Sequence, residues 1–400
     1  MTDAFLLAPG FRTAATACGL KKDGALDLTL IVSDAPCSAA GVFTTNRVKA
    51  APVLYDQAML ATSAGRMRAV VANAGCANAC TGTEGAQNAQ RMAELAAEMV
   101  GTSADAVLVL STGVIGRQLD MTKVSAGIRS FTPATMSRDA VRTSQAIMTT
   151  DTRPKRATAT GTIAGKTFTV AGMAKGAGMI HPGMATMLSV ITTDASCEPA
   201  LLQRAVKTAA DQSFNRISVD GDMSTNDTVL LLASGVSGAV VTDATFDAFV
   251  AVLAEVCMDL AKKIARDGEG ATKLVEIRIT GATDGAMAHR VADSIACSPL
   301  VKTAIHGNDP NWGRVVCAAG YSGAEINPNT LTLDFGLGIE QIRLVAAGMP
   351  LDADLNAASQ LLNREHVFVT LDLGLGSAAT TMWTCDFSKE YVEVNAHYTT

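Results

Sequence analysis

The fold and chemistry of this chain turn on Lys175-Gly-Ala-Gly-Met-Ile-His-Pro-Gly-Met-Ala-Thr-Met-Leu188, near the middle of the sequence. Its glycines and proline are typical of a loop, and the apolar run that starts at Met187 is typical of a buried strand. Ala185 and Thr186 therefore stand where a loop is expected to meet a strand. A small residue followed by a hydroxyl residue suits self-cleavage at such a junction, because the hydroxyl can attack the preceding carbonyl and convert the amide into an ester.

Cleavage before Thr186 would create a new N-terminal threonine. The α-amine of a chain end has an ordinary pKa of roughly 7.7–8.0, which suits a base that removes the hydroxyl proton of its own residue near neutral pH. The chain would then be an N-terminal-nucleophile enzyme that makes its own active site. The alternative, which the local pattern taken alone favours, is that Thr186 is an ordinary β-forming residue at the start of a strand, which involves no chemistry.

The composition describes an acidic chain with an aliphatic core. Its 400 residues are 48% hydrophobic but only 4% aromatic, with a formal net charge of −6. This length suffices for one large domain or two or three smaller ones, and the negative charge argues against nucleic acid or an anionic membrane as a partner. Nine cysteines lack the paired spacing of a zinc site. With no secretory signal and no apolar run of membrane-spanning length, we expect a soluble cytoplasmic protein without a metal.

Strand and helix patterns alternate along the chain, which predicts an α/β or α+β class with layered sheets. The predicted elements lie at 25–32, 87–100, 106–110, 246–264 and 274–279. Two more strands, at 367–373 and 379–385, are predicted to be adjacent and antiparallel. Ala164-Gly165 is predicted to form a hairpin turn, since the glycine spacing around it is one residue too short for a phosphate-binding loop.

Three polar segments are suited to an acyl-transfer site. Ser111-Thr112-Gly113 follows a predicted buried strand, where a hydroxyl and a backbone N–H can face a developing oxyanion, and each such donor is worth roughly 3–4 kcal/mol. Glu269 lies between two glycines after a long predicted helix, suited to holding a substrate ammonium. The polar run 220–228 precedes an apolar strand and is suited to orienting structure near a site. Taken alone, the first two segments are better explained as a strand-to-loop turn and a solvated helix-end loop, and the third is equally explained as a turn rich in Asp and Asn.

Together, these segments resemble the glutamate N-acetyltransferase/ornithine acetyltransferase family of arginine biosynthesis. The resemblance runs in the family's order across nearly the whole chain, and the string from Lys175 to Leu188 is its most specific part. The matching segments are 43–48, 50–52, 77–82, 111–116, 175–188, 213–216, 220–228, 267–272, 309–314 and 395–396.

The resemblance implies a precursor that cuts itself between Ala185 and Thr186 into an α chain, 1–185, and a β chain, 186–400. It implies that Thr186 is the nucleophile, acetylated during turnover, and that Thr112 and Gly113 are the oxyanion donors. The substrate-contacting positions that it implies are Thr152, Lys175, Thr186, Glu269, Asn395 and Thr400.

The implied reaction moves an acetyl group from N2-acetylornithine to glutamate, with acetyl-CoA as a candidate second donor and no metal or organic cofactor. The implied fold is an αββα-type layered sandwich with a smaller C-terminal α/β domain. A change of pattern near 279–281 places these domains at 1–280 and 281–400. The α and β chains are expected to stay together as α2β2 or a larger heteromer. Two alternatives remain at this point: an N-terminal-nucleophile aminopeptidase or amidohydrolase, and a non-catalytic binding protein of the same fold.

Overall fold

The structure is a computed structural model in which residues 4–22, 24–181 and 187–397 are described. Within these ranges the chain forms two compact units. The first contains the described residues up to Asn215 together with Met223–Leu260, and the second contains Arg216–Asp222 together with those from Ala261 onward. The sequence-based boundary at 280 falls inside a strand of the second unit, Leu274–Ala282.

The first unit contains eight strands within the described residues. They are β1 (Phe11–Thr16), β2 (Leu28–Phe43), β3 (Arg66–Cys76), β4 (Val107–Val114), β5 (Lys155–Ile163), β6 (Lys166–Lys175), β7 (Leu188–Thr193) and β8 (Thr228–Ala233). Its helices are α1 (Ala51–Thr62), α2 (Gly82–Val100), α3 (Met121–Arg129), α4 (Val141–Ala146), α5 (Pro199–Gln212) and most of α6 (Phe246–Arg266). Each strand and helix predicted in this part of the sequence is present. Most ends are displaced by a few residues, but β2 continues to Phe43, well beyond its predicted end at Val32.

The eight strands form one sheet in the order β4-β3-β2-β8-β7-β6-β5, with β1 paired to β2. The first part of β2 pairs with β3 and the last part pairs with β8, with an irregularity between Val32 and Cys37. One core cluster joins residues of both halves, such as Leu110 of β4 and Met173 of β6. The sheet therefore folds over at β2, and its two halves pack face to face.

Helices cover the two outer faces. The apolar sides of α2 and α3 pack against β3 and β4 through residues such as Leu95 and Ile128. On the other half, α6 lies so close to β6 that a Cβ at Gly172 would be 2.9 Å from the Leu260 side chain. The resulting order of helix, sheet, sheet and helix confirms the predicted α/β class and its αββα layering.

The turn between β5 and β6 also follows the sequence pattern. Ala164 and Gly165 have φ values of 51° and 78°, which is the pair of positive values that a two-residue hairpin of type I′ needs. The strands that it joins pair in continuous antiparallel register from Lys155 to Ile163. The hairpin interpretation is confirmed, and the phosphate-loop alternative is excluded by the same geometry.

The second unit is a smaller α/β structure. Its strands are β9 (Leu274–Ala282), β10 (Thr332–Phe335), β11 (Ile342–Ala346), β12 (Met349–Pro350), β13 (His366–Asp372) and β14 (Ala378–Cys385). Its helices are the end of α6, α7 (Gly285–Ala296), α8 (Pro299–His306), α9 (Trp312–Gly320), α10 (Leu355–Leu362) and α11 (Lys389–His397). Apolar residues of α7, α9 and α10 form one core with the sheet.

The strand order of this sheet corrects one prediction. The order is β12-β11-β10-β13-β9-β14, so β9 lies between β13 and β14, which were predicted to be adjacent. β9 pairs with β13 in parallel and with β14 in antiparallel register. The prediction was wrong because a short glycine-containing loop reverses the chain but does not fix the distance between the strands that it joins. The strand β9 therefore fits between β13 and β14. Among the described residues, no helix combines the length and apolarity needed to cross a bilayer.

Candidate active site

The end of β4 carries the two predicted oxyanion donors. Thr112 is 4% exposed, and it lies within the strand rather than in a turn after it, which corrects the sequence-based prediction. Gly113 opposes Gly75 at an irregularity in the pairing of β3 and β4. Its φ of 131° and the 2.4 Å that would separate an added Cβ from the Gly75 carbonyl carbon exclude any larger residue without a shift of the backbone. Position 113 therefore has to be glycine for this strand end to form.

Lys175 brings a cation to the Thr112 hydroxyl. It is the last residue of β6, is 2% exposed, and pairs in register with Leu188 at the start of β7. Its Nζ donates to Thr112 Oγ1 at 3.4 Å. Because lysine can only donate, the Thr112 hydroxyl accepts this bond and keeps its own proton for a further acceptor. The pair is thus suited to stabilising a developing negative charge.

Asp151 anchors Lys175 from the other side. The Asp151 carboxylate lies 4.0 Å from Lys175 Nζ and 2.6 Å from the buried Lys155 Nζ, and accepts a hydrogen bond from Gly176 N at 2.7 Å. Burial opposes the charged form of Asp151, but the two lysines and the amide outweigh it and hold the pKa of this carboxyl well below its usual range. Asp151 is therefore a fixed anion beside the Lys175 side chain.

Lys21 adds a titratable cation to the same surroundings. Its Nζ donates to the carbonyl oxygens of Leu26 at 2.7 Å and Ala146 at 3.3 Å. Burial lowers the pKa of Lys21 to about 8, and the charge of Lys175 acts in the same direction, while Asp27 and Asp151 oppose it. The charge of this group therefore changes within the pH range in which an enzyme would be assayed.

The polar run before β8 joins the two halves of the site. Asn226 Nδ2 donates to the carbonyl oxygen of Ser111 at 2.8 Å, directly beside Thr112, and to that of Ala77 at 2.6 Å. The next residue, Asp227, accepts a hydrogen bond from Met187 N at 2.9 Å. Two adjacent side chains thus connect the end of β4 with the start of β7.

The other predicted positions are distributed as follows. Thr186, Ala185 and Thr400 lie outside the described residues. Thr152 is exposed and directly follows Asp151. In the second unit, Asn395 Nδ2 donates to Glu269 Oε2 at 2.9 Å, so these two predicted substrate-contacting residues are brought together.

Sequence reasoning missed Asp151, Lys155 and Lys21 as parts of the site. Lys155 stands in the basic segment 153–156, a pattern typical of a solvated surface, and yet it is 1% exposed. Asp151 had a signal, because it belongs to the segment 149–152 that carries Thr152. Lys21 has no local pattern that marks it, since its environment is made by distant parts of the chain.

A threonine hydroxyl, a lysine ammonium and a glycine backbone at one strand end are the components of an acyl-transfer site.

Comparison with known proteins points to the same class of protein. The model of the ArgJ family matches residues 12–400. The arginine biosynthesis bifunctional protein of Symbiobacterium thermophilum is 48% identical over 396 residues, which cover 98% of this chain and 97% of that protein. The protein of the same description from Geobacter sulfurreducens is 48% identical over 98% of this chain and 99% of its own length.

Among solved structures, an ornithine acetyltransferase from Mycobacterium tuberculosis complexed with ornithine is 42% identical, with a TM-score of 0.40. The match covers 46% of this chain and 96% of the Mycobacterium tuberculosis chain. The sequence match over nearly the full length decides the classification. The chain belongs to the ArgJ family.

Proposed function

We propose that this protein cuts itself between Ala185 and Thr186 and then transfers acetyl groups from N2-acetylornithine to glutamate. The products are ornithine and N-acetylglutamate. Membership of a family whose relatives act in arginine biosynthesis supports the pathway. The observation that carries the reaction type is the 3.4 Å contact between Lys175 Nζ and Thr112 Oγ1 at a buried strand end.

The reaction begins at the chain end that cleavage creates. The Thr186 α-amine takes the proton of its own hydroxyl, and Oγ attacks the acetyl carbonyl of N2-acetylornithine. The Thr112 hydroxyl and the Gly113 N–H stabilise the tetrahedral oxyanion. The intermediate collapses by breaking the C–N bond, and the released ornithine amine takes the proton, leaving acetyl-threonine.

Glutamate completes the cycle. Its α-amine attacks the acetyl-threonine carbonyl, the same donors stabilise the second oxyanion, and Thr186 Oγ leaves with a proton returned from the amine. Both substrates carry an α-carboxylate, and the Lys175 ammonium is the group that would bind it in each half of the cycle. All steps are acyl or proton transfers, so the cycle that we propose uses no metal or organic cofactor. Acetyl-CoA is a candidate second donor to the same threonine.

The proposal includes an assembly and a location. The α and β chains remain associated after cleavage and pair further into α2β2 or a larger heteromer. We place the enzyme in the cytoplasm, whereas the relative from Yarrowia lipolytica, 45% identical, is described as mitochondrial. Size-exclusion chromatography with light scattering measures the assembly directly.

The experiment that tests the function compares the purified wild-type protein with Thr186→Ala. We expect the wild type to show two fragments with threonine at the new N-terminus, and the variant to remain one inactive chain. Transfer of labelled acetyl from N2-acetylornithine to glutamate is the activity readout. Release of free acetate in place of N-acetylglutamate would identify the hydrolase alternative, and binding without turnover or cleavage would identify the binding-protein alternative. A Thr186→Ala chain that still splits at 185/186 would contradict the assignment of the nucleophile.

A further inference from the structure

Asp227 and Thr228 hold the backbone of Met187 on both sides. Met187 N donates to Asp227 Oδ1 at 2.9 Å, and Thr228 N donates to the Met187 carbonyl oxygen at 3.1 Å. Met187 directly follows Thr186 in the chain. The residue that carries the proposed nucleophile is therefore covalently attached to a backbone unit whose two polar groups are both fixed by adjacent residues.

The Asp227 side chain is fully buried and uses only one of its two oxygens in this contact. Within the described residues, Oδ2 has no hydrogen-bond partner. Burial raises the pKa of Asp227 well above its usual range, and it outweighs the Met187 amide, the charge of Lys175 and the Ser224 and Thr44 hydroxyls, which act in the opposite direction. The balance favours the neutral acid over the anion.

We propose that Asp227 is a positioning residue that holds the Met187 amide and thereby positions the preceding residue, Thr186, for cleavage and for acetyl transfer. This inference rests on the proposed function. It assigns Asp227 no bond to the substrate and no proton to transfer. Its neighbour Asn226 fixes the Ser111 carbonyl beside Thr112, so the dipeptide links the segment that leads into β7 with the end of β4.

The neutral form has a chemical advantage. The α-amine that we propose as the base belongs to the residue directly before Met187, whose N–H Asp227 Oδ1 accepts at 2.9 Å. An ionised carboxylate beside this part of the chain would favour the ammonium form of the amine, which cannot accept the hydroxyl proton. A neutral acid accepts the Met187 hydrogen bond without this effect.

The chain offers a matched control in Asp56. It is also fully buried, accepts one hydrogen bond from a strand amide, Val109 N, at 2.7 Å, and has no described partner at Oδ2. Burial raises its pKa as well, against the lowering effect of the Val109 amide. Asp56 holds the middle of β4 and no atom that takes part in the proposed reaction. If the Asp227 side chain contributes only to stability, its removal should therefore have the same effects as removal of the Asp56 side chain.

The experiment follows the conversion of full-length chain into fragments over time, together with kcat, KM and the thermal midpoint. The variants are Asp227→Ala, Asp227→Asn and Asp56→Ala. We expect Asp227→Ala to slow cleavage and lower kcat by about tenfold or more, the effect of losing one buried hydrogen bond in the reacting geometry, with KM nearly unchanged. Asp227→Asn keeps a neutral acceptor and should stay within about threefold of the wild type. Asp56→Ala should lower the midpoint comparably while cleaving within about threefold of the wild-type rate.

Several results would overturn the inference. If Asp227→Ala is cleaved at the wild-type rate, the hydrogen bond between Met187 N and Asp227 Oδ1 does not position the nucleophile. Asp227→Asn as slow as Asp227→Ala would show that the carboxylate charge is needed, and this variant decides the matter if alanine prevents folding. Asp56→Ala losing cleavage and kcat to the same extent would reduce the effect to stability. In each case an active, cleaved wild type leaves the proposed function standing, whereas a wild type that stays whole and inactive removes the function and this inference together.

Discussion

Gly113→Ala tests whether the strand end that carries the proposed oxyanion donors depends on the absence of a side chain. In the structure, a Cβ at this position would lie 2.4 Å from the Gly75 carbonyl carbon and 2.6 Å from Cys76 N. Both are backbone atoms, so relief requires β3 and β4 to separate. Gly116 is a matched control, because it also has a positive φ, of 77°, but nothing lies within 4 Å of its added Cβ.

The two substitutions differ in the steric cost of the added methyl group, which overlaps backbone atoms at Gly113 but not at Gly116. A positive φ costs an alanine about 1–2 kcal/mol at either position. Forcing a methyl group into close-packed surroundings adds about 1–3 kcal/mol at Gly113 alone. We therefore expect Gly113→Ala to lose about 2–5 kcal/mol of stability against about 1–2 kcal/mol for Gly116→Ala. Displacement of the Gly113 N–H should also remove one oxyanion donor, which lowers kcat by about 10²–10³-fold.

The assay combines denaturant unfolding of both variants with steady-state acetyl transfer at saturating N2-acetylornithine. Gly113→Ala should unfold at a clearly lower denaturant concentration than Gly116→Ala and should lose kcat with little change in KM. Equal unfolding midpoints would refute the close approach of β3 and β4. A destabilised Gly113→Ala with full kcat would refute the oxyanion role while leaving the packing argument intact.

Three further predictions use neighbouring groups. Thr112→Ala should lower kcat about 10²-fold and Thr112→Ser should restore most of it, since serine keeps the hydroxyl that Lys175 orients, and steady-state kinetics measures both. Lys155→Met should cost about 3–5 kcal/mol of unfolding free energy, because it removes the cation 2.6 Å from buried Asp151, and denaturant titration measures the loss. The pKa of Lys21 falls from 10.5 to about 8 on folding, so the unfolded chain binds more protons between these values and stability should rise with pH across that range. Lys21→Met should abolish that rise in thermal midpoints, and an unchanged slope would contradict the buried environment.

The sequence predicts those parts of the fold that rest on local patterns. The apolar stripe of α6 and the alternation in the first part of β2 were recognised because burial on one face leaves a period of 3.6 or 2 in the sequence. The turn at Ala164-Gly165 was recognised for the same reason, since its φ values require particular residues. These features depend on neighbours within a few positions of each other.

What depends on distant pairing could not be predicted in this way. The strand β9 enters between β13 and β14 from about 90 residues earlier in the chain, and no residue of the loop joining them records that insertion. Lys155 and Lys21 look like solvated lysines in the sequence, and only the packed structure gives them buried partners. For the site, motif resemblance supplied Thr112, Gly113 and Lys175. Asp151 and Asp227 belong to polar segments of the sequence, 149–152 and 220–228, but their contacts with the Gly176 and Met187 amides depend on the packed structure.

Because the sheet folds over at β2, hydrogen bonds between its two halves hold much of the site in place. A continuous strand of this length would span about 50 Å. Its first part pairs with β3, which lies next to the strand of Thr112, and its last part pairs with β8, from which β7 and then β6 with Lys175 follow in the sheet. The sheet has to bend between Val32 and Cys37 before Lys175 Nζ can reach the 3.4 Å contact with Thr112 Oγ1. Apolar packing between the halves is non-directional and tolerates small sliding movements, whereas the hydrogen bonds of Asn226 do not. The reacting geometry is therefore set by a few polar contacts between layers, and changes there should alter rates far more than they alter the fold.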